Sequence, residues 1–243
     1  MNIQSLTRHA AGITAFCALL AVPTLGQAAT VYLVGDGYAQ GSESFNLTAP
    51  VPVAVNPTGA GGFTGHIGLT NPPTTPIFFW CVELSQTFSF GTVYNNYTFS
   101  PLGNTLISQL FTEVGGSAAL LSGPPSATKT INSAAFQLAL WEILYEGGTY
   151  GGLNVSTGNF KATGDAAAIA QANIWLAGLS ALSPATTALF SLHSASNQDF
   201  ITDTPPPPGL LIPEPASLPL LGVGLLAVIF MMRRRTHGQV VGG

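Results

Sequence analysis

The sequence predicts an α+β fold in which early β-strands are followed by packed helices in one body domain, with a transmembrane helix on the C-terminal side. Three observations predict it. Apolar runs over residues 30–99 are short, aromatic or β-branched, and punctuated by Gly and Pro, as strands are. From residue 104 onward the apolar residues recur at helical spacing between glycine pairs. Residues 216–232 are free of charge and are closed by Arg233, Arg234 and Arg235, the pattern of a short membrane span.

Residues 31–34, Val-Tyr-Leu-Val, open the strands and run into a glycine-rich turn at 35–37 that lacks the glycine spacing of a nucleotide-binding loop. Residues 45–48 and 51–55 are weaker strands, since Pro50 and Pro52 restrict them to an edge. Residues 57–65 and 71–76 read as loops. The strongest strand is 77–84, Ile-Phe-Phe-Trp-Cys-Val-Glu-Leu, whose continuous apolar character implies burial on both faces. Two more strands are expected at 87–93 and 97–99.

Residues 104–114 place Leu106, Leu110 and Phe111 on one helix face and stop at Gly115 and Gly116. Residues 129–146 repeat the pattern with Ala134, Leu138, Trp141 and Tyr145, and Gly147 ends the run. Residues 165–179 form a third helix with Asp165 at its dipole-favoured start. Ser183 and Pro184 read as the cap and first turn of a last short helix.

Both ends of the chain read as processing segments. Residues 1–28 have the form of a signal peptide: Arg8 precedes an apolar run at 10–22, and Gly26, Gln27 and Ala28 form a small-x-small site. The body, 29–203, is followed by a proline-rich linker at 204–215, by the apolar helix with its arginine cluster at 216–235, and by a short tail at 236–243. The basic cluster after the span places the C-terminus in the cytoplasm and the body outside. Pro213-Glu214-Pro215-Ala216-Ser217, the apolar run and Arg233, Arg234 and Arg235 together resemble the PEP-CTERM sorting signal of Gram-negative bacteria. That resemblance implies an exosortase-type sorting protease as partner, anchoring in the inner membrane through residues 216–232 before processing, and then release to the cell surface or the extracellular polysaccharide matrix.

The body is poor in charge. Of 6 Lys and Arg residues only Lys129 and Lys161 lie within it, whereas of 10 acids only Glu214 lies outside it. Such a body repels a phosphate backbone, which excludes nucleic acid as a partner. The spacing of Cys and His suggests no metal site and the sequence implies no cofactor. His66 and His193 have no motif around them that would make either the base of a hydrolase, and Glu142 with Glu146 reads as a solvated helix pair, so no enzymatic activity is expected.

Two segments stand out. Cys17 lies in the leader, leaving Cys81 as the single cysteine of the body, within Phe79-Trp80-Cys81-Val82-Glu83. Gln137 begins Gln137-Leu138-Ala139-Leu140-Trp141 and lies beside the buried helix face. If the helix packs on the strand, thiol and carboxamide meet in a water-poor site, where loss of ammonia would give an internal thioester. The two segments resemble the motifs of the thioester domains of bacterial surface adhesins, an aromatic-Cys-x-acid strand and a Gln-x-Ala-apolar-Trp helix. The resemblance implies a Cys81–Gln137 crosslink, with Trp80, Glu83, Trp141 and Tyr145 in support, that captures a surface amine or hydroxyl or a matrix polysaccharide. The alternative is an inert structural or biofilm-matrix protein with no reactive bond.

Overall fold

The computed structural model describes residues 30–147, 150–181 and 183–210. The expected signal peptide, the sorting-signal residues Pro213, Glu214, Pro215, Arg233, Arg234 and Arg235, the apolar helix at 216–235 and the final tail lie outside the described residues.

Six strands, all antiparallel neighbours, close into a barrel: β1 (Thr30–Tyr38), β4 (Phe63–Gly68), β5 (Thr75–Cys81), β9 (Phe200–Thr202), β8 (Leu189–His193) and β6 (Val93–Leu102), in that spatial order. A smaller sheet, β3–β2–β7, is built from Thr58–Ala60, Glu43–Thr48 and Lys161–Thr163. The barrel follows from alternation. One face of each strand carries the large apolar residues, and closure hides those faces while removing the unpaired edges. Phe63 touches Phe200 at a ring separation of 6.0 Å and Tyr97 touches Phe200 at 5.9 Å, although in neither pair are the two strands neighbours, so these rings meet inside the barrel. Phe88 joins them, 4.9 Å from Phe200. Gly35 on β1 makes this possible, because a Cβ there would come within 2.5 Å of the Phe88 ring.

Outside the barrel lie α1 (Thr105–Glu113), α2 (Ser117–Leu121), α3 (Ala127–Glu146) and α4 (Ala166–Gly178). Side-chain caps start three of them: Asn104 accepts from Ile107, Ser126 from Lys129 and Asp165 from Ala168. Gly147 ends α3 in the left-handed conformation (φ 86°), which an L side chain resists. The α3 helix is central, with every residue from Ser133 to Ile143 buried by α4, α1, α2 and the small sheet. Trp80, on the opposite face of β5 from Phe79, packs on Phe136 of α3 (4.2 Å) and donates its indole N–H to Ser117 of α2 (2.8 Å). It is the bolt between barrel and helices.

The expected order of elements is corrected in two respects. Strands do not merely precede helices, since β7 lies between α3 and α4, and β8 and β9 follow α4. The physical reason is closure: β5 and β6 would be bare edges unless later strands joined them. Ser183 and Pro184 therefore open no helix, and of the strand expected at 87–93 only Val93 joins one, β6, while residues 87–92 form a loop that sends Phe88 into the barrel. The second correction concerns the membrane. Among the described residues no helix is long and apolar enough to cross one. Even α3, at 20 residues, carries Lys129, Asn132, Gln137, Glu142 and Glu146 along its length. The transmembrane element, the membrane as a partner through residues 216–232 and the inner-membrane-anchored stage thus find no support among the described residues, and residues 216–232 themselves lie outside them.

Candidate functional site

Cys81 is the last residue of β5, and its register explains its surroundings. Pairing with β4 ends at Phe63 opposite Phe79, so the backbone beyond has no strand partner on that side. The α3 helix supplies one. Gln137, Trp141 and Tyr145 recur every four residues and thus share a helix face. Gln137 accepts from the Cys81 N–H through Oε1 (3.1 Å) and donates to the Cys81 carbonyl through Nε2 (2.8 Å). Two turns on, the Tyr145 hydroxyl accepts from the Leu84 N–H (3.0 Å) and donates to the Val82 carbonyl (3.1 Å). Burial pushes the Tyr145 hydroxyl up to about 12, so it stays a donor at neutral pH. Two side chains thereby do the work of a neighbouring strand.

On the other side β5 pairs with β9, with Cys81 opposite Phe200. This register brings up a residue that sequence reasoning missed. The Nε2 of Gln198, two positions before Phe200, lies against Cys81 Sγ and also donates to the Glu83 carbonyl (2.9 Å). The Cys81 thiol itself donates to that same carbonyl (2.9 Å). Gln198 is firmly placed: its carbonyl accepts from Tyr97 (2.7 Å), the next carbonyl, Asp199, accepts from Val82 N–H (3.0 Å), and the Asp199 carboxylate takes Ser194 N–H (2.8 Å) and His193 Nδ1 (2.7 Å). Nothing in the polar stretch Ser196-Asn197-Gln198-Asp199 announced this role. The only available signal was the short apolar pair Phe200-Ile201 behind it.

Cys81 and Gln198 line a cavity of about 180 Å³ together with Trp141, Glu83, Gln86 and Phe88. Burial pushes the Cys81 thiol well up; the Trp141 indole opposes this, and the nearby Glu83 and Asp199 carboxylates add to it. The thiol is therefore protonated at neutral pH. It is free among the described residues. Of the other sequence-selected residues, Trp80 faces the helices rather than this cavity, while Glu83 and Trp141 line it. His66 pairs with Asp36 (3.2 Å) and His193 with Asp199. Neither histidine lines the cavity. No cluster of three or more His, Cys, Asp or Glu that would hold a metal occurs among the described residues.

The Glu142–Glu146 pair differs from the solvated face expected of it. Glu142 is fully buried, and its Oε1 accepts from Asn154 N–H (2.7 Å), while Glu146 accepts from Phe160 N–H (3.0 Å); both tie down the segment after α3. Burial, with a smaller push from Glu146, raises the Glu142 carboxyl to about 7. The folded state then holds its proton where the unfolded chain has lost it, so this group's contribution to stability is greatest below about pH 4.5 and falls as pH rises toward 7. Glu142→Gln is expected to stabilise the protein at pH 8 by about 2 kcal/mol and to do little at pH 4, as read by paired urea titrations.

Comparison with known proteins bears on the C-terminal side only. The model of the PEP-CTERM protein-sorting motif matches residues 211–235, the stretch holding Pro213, Glu214, Pro215 and the three arginines. Neither a curated protein nor a solved structure matches the chain. The chain thus carries a PEP-CTERM sorting motif near its C-terminus.

Proposed function

We propose that this is an exported surface or extracellular-matrix protein whose body captures a nucleophile through an internal thioester at Cys81. Export fits the sorting motif at 211–235, and an exosortase-type protease is the partner that motif implies. The observation that carries the finer reading is the division of labour between two glutamines. Both polar atoms of the Gln137 carboxamide are engaged by the backbone of Cys81, whereas Gln198 lies against the sulfur. Gln198 is accordingly the acyl donor in this reading and Gln137 the positioning residue.

In the reaction, Cys81 Sγ attacks Gln198 Cδ, the S–C bond forms, and the C–N bond breaks. The amide nitrogen leaves as ammonia, carrying the thiol proton. An incoming nucleophile later forms a bond to the same carbon and returns the thiol. The event is stoichiometric, once per molecule, so the protein is not a turnover enzyme on this account.

Intact mass tests it. The full chain is expected to be lighter than its covalent formula by one ammonia, and Cys81→Ala and Gln198→Ala should each abolish that loss while a folded Gln137 variant keeps it. Retention of the loss in Gln198→Ala with its disappearance in Gln137→Asn would transfer the acyl role to Gln137. The second reading, an inert structural or matrix protein, is favoured by the sorting motif taken alone and by a thiol that burial keeps protonated. A full-mass chain whose thiol titrates with a disulfide reagent once unfolded would leave that reading standing and sink the covalent one.

A further inference from the structure

We propose that residues 205–210 are a strap that locks the last strand of the barrel in place, leaving the sorting motif, whose match begins at residue 211, outside the lock.

The strand that needs locking is β9. It has three residues and meets β5 only at Trp80 and Cys81, yet it closes the barrel between β5 and β8. It also carries Phe200, which is fully buried and touches Phe63, Phe79, Phe88 and Tyr97. A strand this short frays readily when the chain after it is loose. Its exit is pinned instead. The Thr202 hydroxyl donates to the Phe78 carbonyl (2.6 Å) and accepts from Thr204 N–H (2.9 Å), and the Asp203 carboxylate accepts from Ser117 N–H (2.8 Å).

Four prolines follow, Pro205 to Pro208. None has an N–H, so the segment lies on the body without leaving a donor unsatisfied, and their fixed φ angles lower the entropy lost when it docks. Pro207 is buried. A turn then closes the strap. Leu210 N–H donates to the Pro207 carbonyl (3.1 Å), with Pro208 and Gly209 (φ 87°) at the central positions, the residues a type II turn selects. This turn sets Leu210 against the hydrophobic core and brings Gly209 beside Leu69, whose Cδ1 would lie 3.6 Å from an added Cβ. Leu69 directly follows β4, so the strap reaches from β9 to the connection between β4 and β5. A free spacer would bury neither Pro207 nor Leu210.

Hydrogen exchange on the full chain tests the lock. Gly209→Val opposes the left-handed φ, and Leu210→Asp puts a charge on the packed face. Each is expected to speed exchange at Phe200 and Ile201 about tenfold while the α3 amides from Ala134 to Leu140 keep the parent's rate. Pro213→Gly, placed in the sorting motif, should leave β9 as it is in the parent. Unchanged exchange at β9 in either strap variant, an equal rise in α3, or a rise at β9 in Pro213→Gly as large as in the strap variants would overturn the inference. Should the strap variants fail to fold, the parent decides alone. Incubated with a proline-specific endopeptidase and read by intact mass, its Pro208–Gly209 bond is expected to be cut about 100-fold more slowly than in a synthetic peptide of residues 203–212. Equal rates in chain and peptide would show that the strap is not docked and sink the proposal.

Discussion

Replacing Gln137 by Ala is expected to lower the stability of the folded body by about 4 kcal/mol, because it leaves two buried backbone groups, the Cys81 N–H and carbonyl, without partners. Each such orphan carries its full desolvation penalty. The loss should appear as a lower urea midpoint followed by tryptophan fluorescence. Gln137→Glu is expected to be no better. It keeps an acceptor for the N–H but sets a carboxylate oxygen against the Cys81 carbonyl oxygen. A Gln137→Ala variant as stable as the parent would show that the α3 face does not act as the missing strand partner. The same variant also reports on chemistry, since a looser Cys81 backbone should slow thioester formation even though Gln198 is intact.

Trp80→Ala is the second large effect, about 4 kcal/mol. Trp80 is fully buried, packs at a tilt against Phe136 and gives its N–H to Ser117, so its removal opens a cavity at the junction of β5, α2 and α3 and leaves the Ser117 hydroxyl without this partner. Trp80→Phe should recover much of this but not the hydrogen bond, giving a smaller shift of about 1–2 kcal/mol. Unfolding midpoints of the three proteins measured side by side check the order. If Trp80→Ala proves the milder change, barrel and helices are held together elsewhere.

Much of the local structure was legible. The β5 strand was visible because Ile77, Phe79 and Trp80 are large and apolar on both faces. The α1, α3 and α4 helices were visible because caps and glycines bound a regular apolar stripe. What the sequence concealed were β3, β4, α2, β7, β8 and β9. The β4 strand, Phe-Thr-Gly-His-Ile-Gly, contains two glycines and reads as a loop, but Gly65 sits so close to the β1 backbone at Val34 that a side chain would not fit. The β9 strand has only three residues, too few for any periodicity. Glu142 shows the reverse case: a charge at a surface-like spacing that neighbouring elements bury completely.

Of the candidate site, the sequence by itself singled out Cys81, Glu83, Gln137, Trp141 and Tyr145, since their residue types stand out from a bland, weakly charged chain and helical spacing places the last three together. It also determined the sorting motif, whose chemistry is linear and needs no fold to be read. Only the tertiary structure decided which glutamine faces the sulfur. Gln137 and Gln198 are alike as side chains, and what separates them is that α3 meets the edge of the Cys81 backbone while the β5–β9 register carries Gln198 onto the thiol. Register is a property of paired strands distant in sequence, set by the packing of both, and so it cannot be written in either segment alone.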